Sequence, residues 1–119
     1  MARILIVDDS RTSRKILRTI LEEKGHEVVA EGVNGEDGYL KYKELKPELV
    51  TLDITMPAMD GLEALKLIKK NNDAKVIMIT SAGQKEKMLE AVKYGADEFI
   101  TKPFSDGDVI KAVEEVLAR

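Results

Sequence analysis

Five side chains that can do chemistry stand at the ends of short apolar segments of the chain: Asp8, Asp9, Asp53, Thr80 and Lys102. Short, continuous apolar segments are typical of strands that are covered on both faces. If these strands run parallel, their carboxyl ends meet at one edge of a sheet. Three carboxylates, a hydroxyl and an amine that lie far apart in sequence are therefore predicted to form one site.

The three acids of this predicted site indicate a bound cation. Carboxylates at Asp8, Asp9 and Asp53 would repel one another unless one takes up a proton or a cation is present. The sequence has no cysteine and one histidine, which excludes thiolate and multi-histidine metal sites. Oxygen ligands favour a hard cation, Mg²⁺ before Mn²⁺ or Ca²⁺. Mg²⁺ binds one or two carboxylates, keeps water ligands and takes phosphate oxygens from a substrate.

The remaining groups indicate what such a site could do. Lys102 supplies a positive charge suited to phosphate, and Thr80 supplies a hydrogen-bond donor. A metal, a lysine, a hydroxyl and a free carboxylate are the groups needed for phosphoryl transfer to an aspartate nucleophile.

The elements that must position these groups follow from the apolar pattern. Apolar runs predict five strands at 4–7, 28–30, 49–52, 76–79 and 99–100. Five amphipathic helical patterns alternate with them. This alternation predicts an α/β fold with a parallel sheet, right-handed crossovers and helices on both faces.

Some positions within the helices carry more specific predictions. Asn34, Asp60 and Ser105 are predicted N-caps of the second, third and fifth helices. In the fourth helix Met88 and Val92 are predicted to face the core.

Two glycines also carry predictions. Gly38 is predicted to allow close packing of the second helix on the sheet, at a propensity cost of about 1 kcal/mol. Gly61 is predicted to adopt a positive φ.

Each chemical residue also has a local explanation. Asp8 and Asp9 could form a turn and helix start, and Asp53 could be a turn residue. Thr80 could cap a helix, and Lys102 could be a solvated loop residue. Each explanation is sufficient for one residue taken alone. Together they leave unexplained why all the groups stand at the same end of their strands.

Four segments resemble the receiver domain of bacterial and archaeal two-component response regulators: VDDS at 7–10, LDITMPAMDG at 52–61, ITSAG at 79–83 and TKPF at 101–104. The resemblance covers residues 1–119 in order and approximate spacing. It implies a flavodoxin-like fold with five helices and a five-stranded parallel sheet in the order 2-1-3-4-5. The chain is most similar to stand-alone receivers of chemotaxis.

The resemblance implies a role for each residue of the site. Asp53 would be the phosphoacceptor, receiving phosphate from the phosphohistidine of a sensor histidine kinase. Asp9 would bind Mg²⁺ directly and Asp8 mainly through water, and the backbone carbonyl of Thr55 would be a further ligand. Lys102 would bind a phosphoryl oxygen.

The resemblance also implies a conformational switch. Thr80 would move to the phosphoryl group, and the ring of Phe99 would turn inward to fill the space. Many receivers carry tyrosine in place of Phe99, so we expect the ring of Phe99 to be turned partly inward already in the unphosphorylated protein. The Lys102–Pro103 peptide bond is expected to be cis.

Two other functions use similar groups. A haloacid dehalogenase-type aspartyl-phosphate hydrolase places its nucleophile before the acidic pair, has a second Asp two positions after the nucleophile, and carries a cap. Here Asp8-Asp9 comes first, and Thr55 stands two positions after Asp53. A flavodoxin-like FMN carrier needs a phosphate loop after the first strand, where Asp8-Asp9 would repel phosphate.

Composition and hydropathy limit the binding partners and the cellular location that we expect for the protein. The net charge of −3 argues against non-specific nucleic-acid binding. No apolar run is long enough for a membrane span or signal peptide, so a cytoplasmic protein is expected.

We expect one receiver domain over residues 1–119 with no output domain. It would bind a protein through the face formed by the fourth helix, fifth strand and fifth helix. A flagellar motor switch is the expected target, and a phosphorelay or kinase-regulating role is the alternative.

Overall fold

The computed structural model describes residues 1–70 and 74–119, and within them five strands alternate with five helices. In chain order the elements are β1 (Arg3–Val7), α1 (Arg11–Glu23), β2 (Glu27–Gly32), α2 (Gly35–Leu45), β3 (Leu49–Asp53), α3 (Gly61–Lys70), β4 (Lys75–Thr80), α4 (Lys85–Lys93), β5 (Glu98–Thr101) and α5 (Asp106–Leu117). In this part of the chain, no helix combines the length and apolar character needed to cross a bilayer.

The strands form one sheet in the order β2-β1-β3-β4-β5, and every pair of neighbours is parallel. This confirms the predicted doubly wound α/β fold and the strand order that the resemblance implied. The chain moves outward from β1 to β2 and then returns to the other side of β1 with β3. In open parallel sheets, ligands bind beyond the carboxyl ends of the strands at such a reversal.

The sheet is buried on both faces because successive side chains of a strand point to opposite sides. Ile4 and Ile6 of β1 belong to one apolar cluster, whereas Leu5 and Val7 belong to the other. Helices α1 and α5 cover the first cluster with residues such as Leu17, Leu21, Val109, Val113 and Val116. Helices α2, α3 and α4 cover the second with residues such as Tyr42, Leu62, Leu65, Ile68 and Ala91.

Local sequence signals set where the helices begin. The side chains of Asn34 and Ser105 accept hydrogen bonds from the N–H groups of Asp37 and Asp108, which confirms both as N-caps. Oδ1 of Asp60 likewise accepts from the N–H of Glu63 at 3.1 Å. These bonds satisfy N–H groups that have no partner within their helix.

The prediction for the core side of α4 is half wrong. Met88 is partly buried against the second cluster, but Val92 is 57% exposed. The core side of the helix is carried by Ala91, which is fully buried. Because one residue turns a helix by about 100°, Val92 next to Ala91 points outward.

Candidate functional site

The carboxyl ends of β1 and β3 bring the three acids together. One carboxylate oxygen from each of Asp8, Asp9 and Asp53 lies within 4.8 Å of the others. Asp8 is fully buried, Asp53 is 6% exposed, and Asp9 is exposed. The acidic cluster therefore lies where the strand order reverses, with two buried acids and one that is open to solvent.

Asp8 is held at four points. Its N–H donates to the carbonyl of Gly32 at 3.0 Å, and its carbonyl accepts from Nη1 of Arg14 at 2.8 Å. Its Oδ1 accepts from the N–H of Ser10 at 2.8 Å, and its Oδ2 accepts from Nζ of Lys102 at 3.2 Å. The acidic pair thus stands on a firmly positioned backbone.

Lys102 links the two buried acids. Its Nζ lies 3.2 Å from Oδ2 of Asp8 and 3.4 Å from Oδ2 of Asp53. Burial opposes the charge of Lys102, but the two carboxylates outweigh this effect and raise its pKa. The lysine follows β5 and precedes Pro103 through a cis peptide bond. It is a paired cation within the site rather than a solvated loop residue.

One lysine does not fully compensate the acids. Burial, followed by the charge of Asp8, raises the pKa of Asp53 from 3.8 to about 6, although Lys102 acts in the opposite direction. A raised carboxylate pKa means that the folded protein disfavours the charged form. A divalent cation would relieve this repulsion, and an all-oxygen donor set fits Mg²⁺. The residues present therefore fit the metal that the sequence predicts.

The loop between β3 and α3 lies against the site and depends on Gly61. The prediction of a positive φ at Gly61 is wrong, because the described glycines in that region of backbone space are Gly25, Gly83 and Gly95. Glycine is needed at 61 because a Cβ there would lie 2.1 Å from the carbonyl oxygen of Asp53. The reason is close approach of backbone to backbone, which local sequence does not reveal.

Thr80 and Phe99 lie on neighbouring strands at the side of the site. Thr80 is 1% exposed, and its Oγ1 is 3.5 Å from Oγ1 of Thr101, a long and weak contact. Phe99 is partly buried and packs against the second apolar cluster. The side chain of Thr80 does not cap α4, because the N-cap is Gln84 and makes no side-chain capping bond.

Two polar residues near the site, Gln84 and Arg14, make contacts that the sequence does not predict. Gln84 accepts a hydrogen bond from the N–H of Ser81 at 2.6 Å, and its Nε2 donates to Oγ1 of Thr55. It thereby joins the loop after β4 to the loop after β3. Arg14 reaches the carbonyl of Asp8 from α1. No sequence signal distinguishes either residue from its exposed neighbours, because both contacts depend on the folded structure.

A five-stranded parallel sheet with an acidic cluster where the strand order reverses is typical of a known class of protein. The family model described as the response regulator receiver domain matches residues 4–114. The chain therefore belongs to the response regulator receiver family, as the resemblance implied.

Comparison with individual proteins indicates which response regulators the chain is similar to. The chain is 46% identical over 115 residues to the chemotaxis protein CheY of Thermotoga maritima, covering 96% of each chain. It is 49% identical to the chemotaxis protein CheY of Halobacterium salinarum, covering 97% of this chain and 96% of the relative. A solved CheX–CheY–BeF₃–Mg²⁺ complex from Borrelia burgdorferi matches with a TM-score of 0.93 and 36% identity, covering 98% of this chain and 90% of that one. The chain is a receiver domain of a CheY-like response regulator, and these relatives support a role in chemotaxis.

Proposed function

We propose that the protein is phosphorylated on Asp53 by a histidine kinase in a Mg²⁺-dependent reaction, and that phosphorylation changes its affinity for a protein partner. The observation that carries this proposal is the convergence of Asp8, Asp9 and Asp53 within 4.8 Å, with Lys102 bound to two of them. Receivers related to CheY are signalling proteins, and we expect this chain to signal rather than to act as an enzyme on a separate substrate. The proposal gives this chain the same role.

The metal would be held by Asp9, Asp53 and the backbone carbonyl of Thr55, with Asp8 acting mainly through water. When bound, Mg²⁺ supplies positive charge that offsets the acids and the incoming phosphoryl oxygens. Asp53, with a pKa of about 6, is largely ionised at pH 7 and provides the attacking oxygen.

The transfer exchanges one bond to phosphorus for another. An O–P bond to Asp53 forms while the N–P bond of the kinase phosphohistidine breaks, and the histidine nitrogen keeps the bonding electron pair. The ammonium of Lys102, already beside Asp53, would neutralise charge on the transferred group. Once Asp53 carries the phosphoryl group as an acyl phosphate, Lys102 would exchange a carboxylate partner for a phosphoryl oxygen.

Thr80 and Phe99 are the proposed switch. Among the residues that the structure describes, the hydroxyl of Thr80 has a single, long contact, to Thr101, so it can turn to a phosphoryl group at small cost. Phe99 lies partly buried on the adjacent strand, in register with Met78 of β4. Movement of the β4 end would change the space available to the ring.

The proposed partner surface is the face formed by α4, β5 and α5. Two large apolar side chains of α4 are exposed, Leu89 and Val92, each at 57%. Of the residues of α4, all of which the structure describes, only Ala91 is buried, and a helix with few buried contacts moves readily. A flagellar motor switch remains the expected partner, and a phosphorelay or kinase-regulating role is the alternative. The stand-alone domain over residues 1–119 and the cytoplasmic location also stay predictions.

Phosphorylation is tested by incubating the protein with acetyl phosphate and Mg²⁺ and measuring intact mass. The wild type should gain one phosphoryl group, and EDTA should prevent the gain. Asp53→Asn should remove it, Asp9→Ala should remove its metal dependence, and Lys102→Ala should uncouple it from partner binding. Phosphorylation of the Asp53→Asn variant to the wild-type level would refute the proposed acceptor.

Partner switching is tested with the histidine kinase and motor-switch proteins of a chemotaxis system, with and without beryllofluoride and Mg²⁺. Leu89→Asp should weaken binding of the activated protein to the target. Leu40→Asp is a matched control, because Leu40 is 52% exposed on α2, outside the proposed face. Equal losses for the two variants would contradict the proposed surface.

A further inference from the structure

Arg14 of α1 is an unusual charged residue because most of its side chain is covered. Only 12% of the side chain is exposed. Its Nη1 donates to the backbone carbonyl of Asp8 at 2.8 Å, and its Nε donates to Oε1 of Glu31 at 2.9 Å. A planar guanidinium can satisfy two acceptors at a fixed separation, which an ammonium cannot do in the same way.

Glu31 of β2 is itself firmly held. Its second carboxylate oxygen accepts from Nε of Arg18 at 2.7 Å, and its backbone carbonyl accepts from Nζ of Lys41 at 2.7 Å. Burial raises the pKa of Glu31, but hydrogen bonds from Arg18 and Arg14 outweigh burial and lower the pKa below its ordinary value. Arg14 is therefore anchored to an ionised residue that also contacts α2.

The consequence for the acidic pair follows from peptide geometry. The carbonyl of Asp8 and the N–H of Asp9 share one rigid plane. By binding that carbonyl, Arg14 fixes the plane from which the exposed carboxylate of Asp9 projects. The other contacts of Asp8 hold its N–H and its carboxylate but not this carbonyl.

We propose that Arg14, anchored by Glu31, is a positioning residue that orients the Asp8–Asp9 peptide and so sets the affinity of the acidic cluster for Mg²⁺. This inference rests on the proposed function, because it assumes that the cluster binds the metal. Groups that orient metal ligands typically change affinity about 10–100-fold when they are removed. The arginine would act through the Asp8–Asp9 peptide, without itself contacting the metal or the phosphoryl group.

Arg18 provides a matched control within the same helix. It donates to the same Glu31 carboxylate as Arg14, and its other hydrogen bond goes to Glu22 instead of Asp8. Arg18→Gln therefore removes one positive charge and one bond to Glu31 while leaving the Asp8 carbonyl bound. A purely structural role for Arg14 predicts that the two arginine variants behave alike.

The test is calorimetric titration of the full chain with Mg²⁺ alone, together with urea unfolding of each variant in EDTA. Arg14→Gln should weaken Mg²⁺ binding about tenfold, whereas Arg18→Gln should stay within about twofold of wild type. The unfolding free energies separate this effect from general loss of stability. Equal Mg²⁺ affinities for the two variants would overturn the inference.

Two further variants keep the test decisive if Arg14→Gln does not fold. Arg14→Lys keeps the charge but cannot fork to both acceptors, and Glu31→Gln weakens the anchor. Each should weaken Mg²⁺ binding by an intermediate factor, and unchanged affinity in both would also overturn the inference. Failure of the wild type to bind Mg²⁺ would refute the proposed function as well, whereas wild-type binding that Arg14→Gln preserves refutes only the role of Arg14.

Discussion

Replacing Asp53 by asparagine should stabilise the protein at neutral pH, because it removes a charge that the fold disfavours. The pKa of Asp53 is raised from 3.8 to about 6, first by burial and then by Asp8, with Lys102 giving partial relief. A shift of one pKa unit between the unfolded and folded states corresponds to about 1.4 kcal/mol, so ionised Asp53 lowers folding stability by up to about 3 kcal/mol. Functional sites commonly carry such a cost.

The pH dependence has a definite sign. An acid whose pKa is higher in the folded state favours folding below its unfolded pKa, and this contribution is lost as pH rises through about 6. Asp53→Asn should therefore be more stable than wild type by about 1–3 kcal/mol at pH 8. The difference should shrink as pH falls towards 4, where the wild-type carboxyl is protonated in the folded protein.

The assay is urea unfolding in EDTA, followed by far-UV circular dichroism because the sequence has no tryptophan. Free energies from linear extrapolation at pH 8 and pH 4.5 are compared, with the slopes checked for two-state behaviour. Glu115→Gln is the control, since it removes an exposed carboxylate and should stay within about 0.5 kcal/mol of wild type. An Asp53→Asn variant that is less stable at pH 8, or a difference that does not change with pH, would refute the reasoning.

Four further single variants test other parts of the structure. Gly38→Ala should lower the free energy of unfolding by about 1–3 kcal/mol in urea despite better helix propensity, because its Cβ would lie 2.7 Å from two methyl carbons of Val7. A Val7→Ala background should relieve this loss, and a Gly38→Ala variant more stable than wild type would contradict the packing. Thr51→Val should stabilise by about 1 kcal/mol in the same assay, because the described residues offer its buried Oγ1 no hydrogen-bond partner; destabilisation would reveal a partner. Gln84→Ala and Thr55→Val each remove the bond between the loop after β4 and the loop after β3. This bond would oppose the proposed movement of the β4 end with Thr80, so each variant should tighten binding of beryllofluoride with Mg²⁺ by about two- to fivefold. Gln84→Ala also removes the acceptor of the Ser81 N–H, so adding Thr55→Val to Gln84→Ala should cause no further change, and multiplied effects would show that the residues act separately.

The convergence of the acids was predictable because it depends on a simple rule. Asp8 and Asp53 each follow a continuous apolar run, parallel strands follow from the alternation with helices, and parallel strands bring their carboxyl ends to one edge. The strand order was not predictable from these patterns. It came from the resemblance of the four motifs to receiver domains.

The features that escaped prediction depend on three-dimensional proximity. The weak apolar pattern of α4 left the rotation of the helix undetermined, so Val92 was assigned to the core although Ala91 occupies it. Gly61 is required by the nearby carbonyl of Asp53, a backbone contact between residues eight positions apart. The contact of Arg14 with Asp8 likewise arises only when α1 packs beside the ends of β1 and β2.

The central claim is that Asp8, Asp9 and Asp53 form one binding site for a divalent cation. Its most direct test is a crystal of the protein soaked in MnCl₂, with the anomalous signal of manganese locating the ion. We expect one strong anomalous peak among these three carboxylates, and we expect this peak to be lost in Asp9→Ala crystals. A wild-type map with no peak there, or with the ion bound only elsewhere, would contradict it.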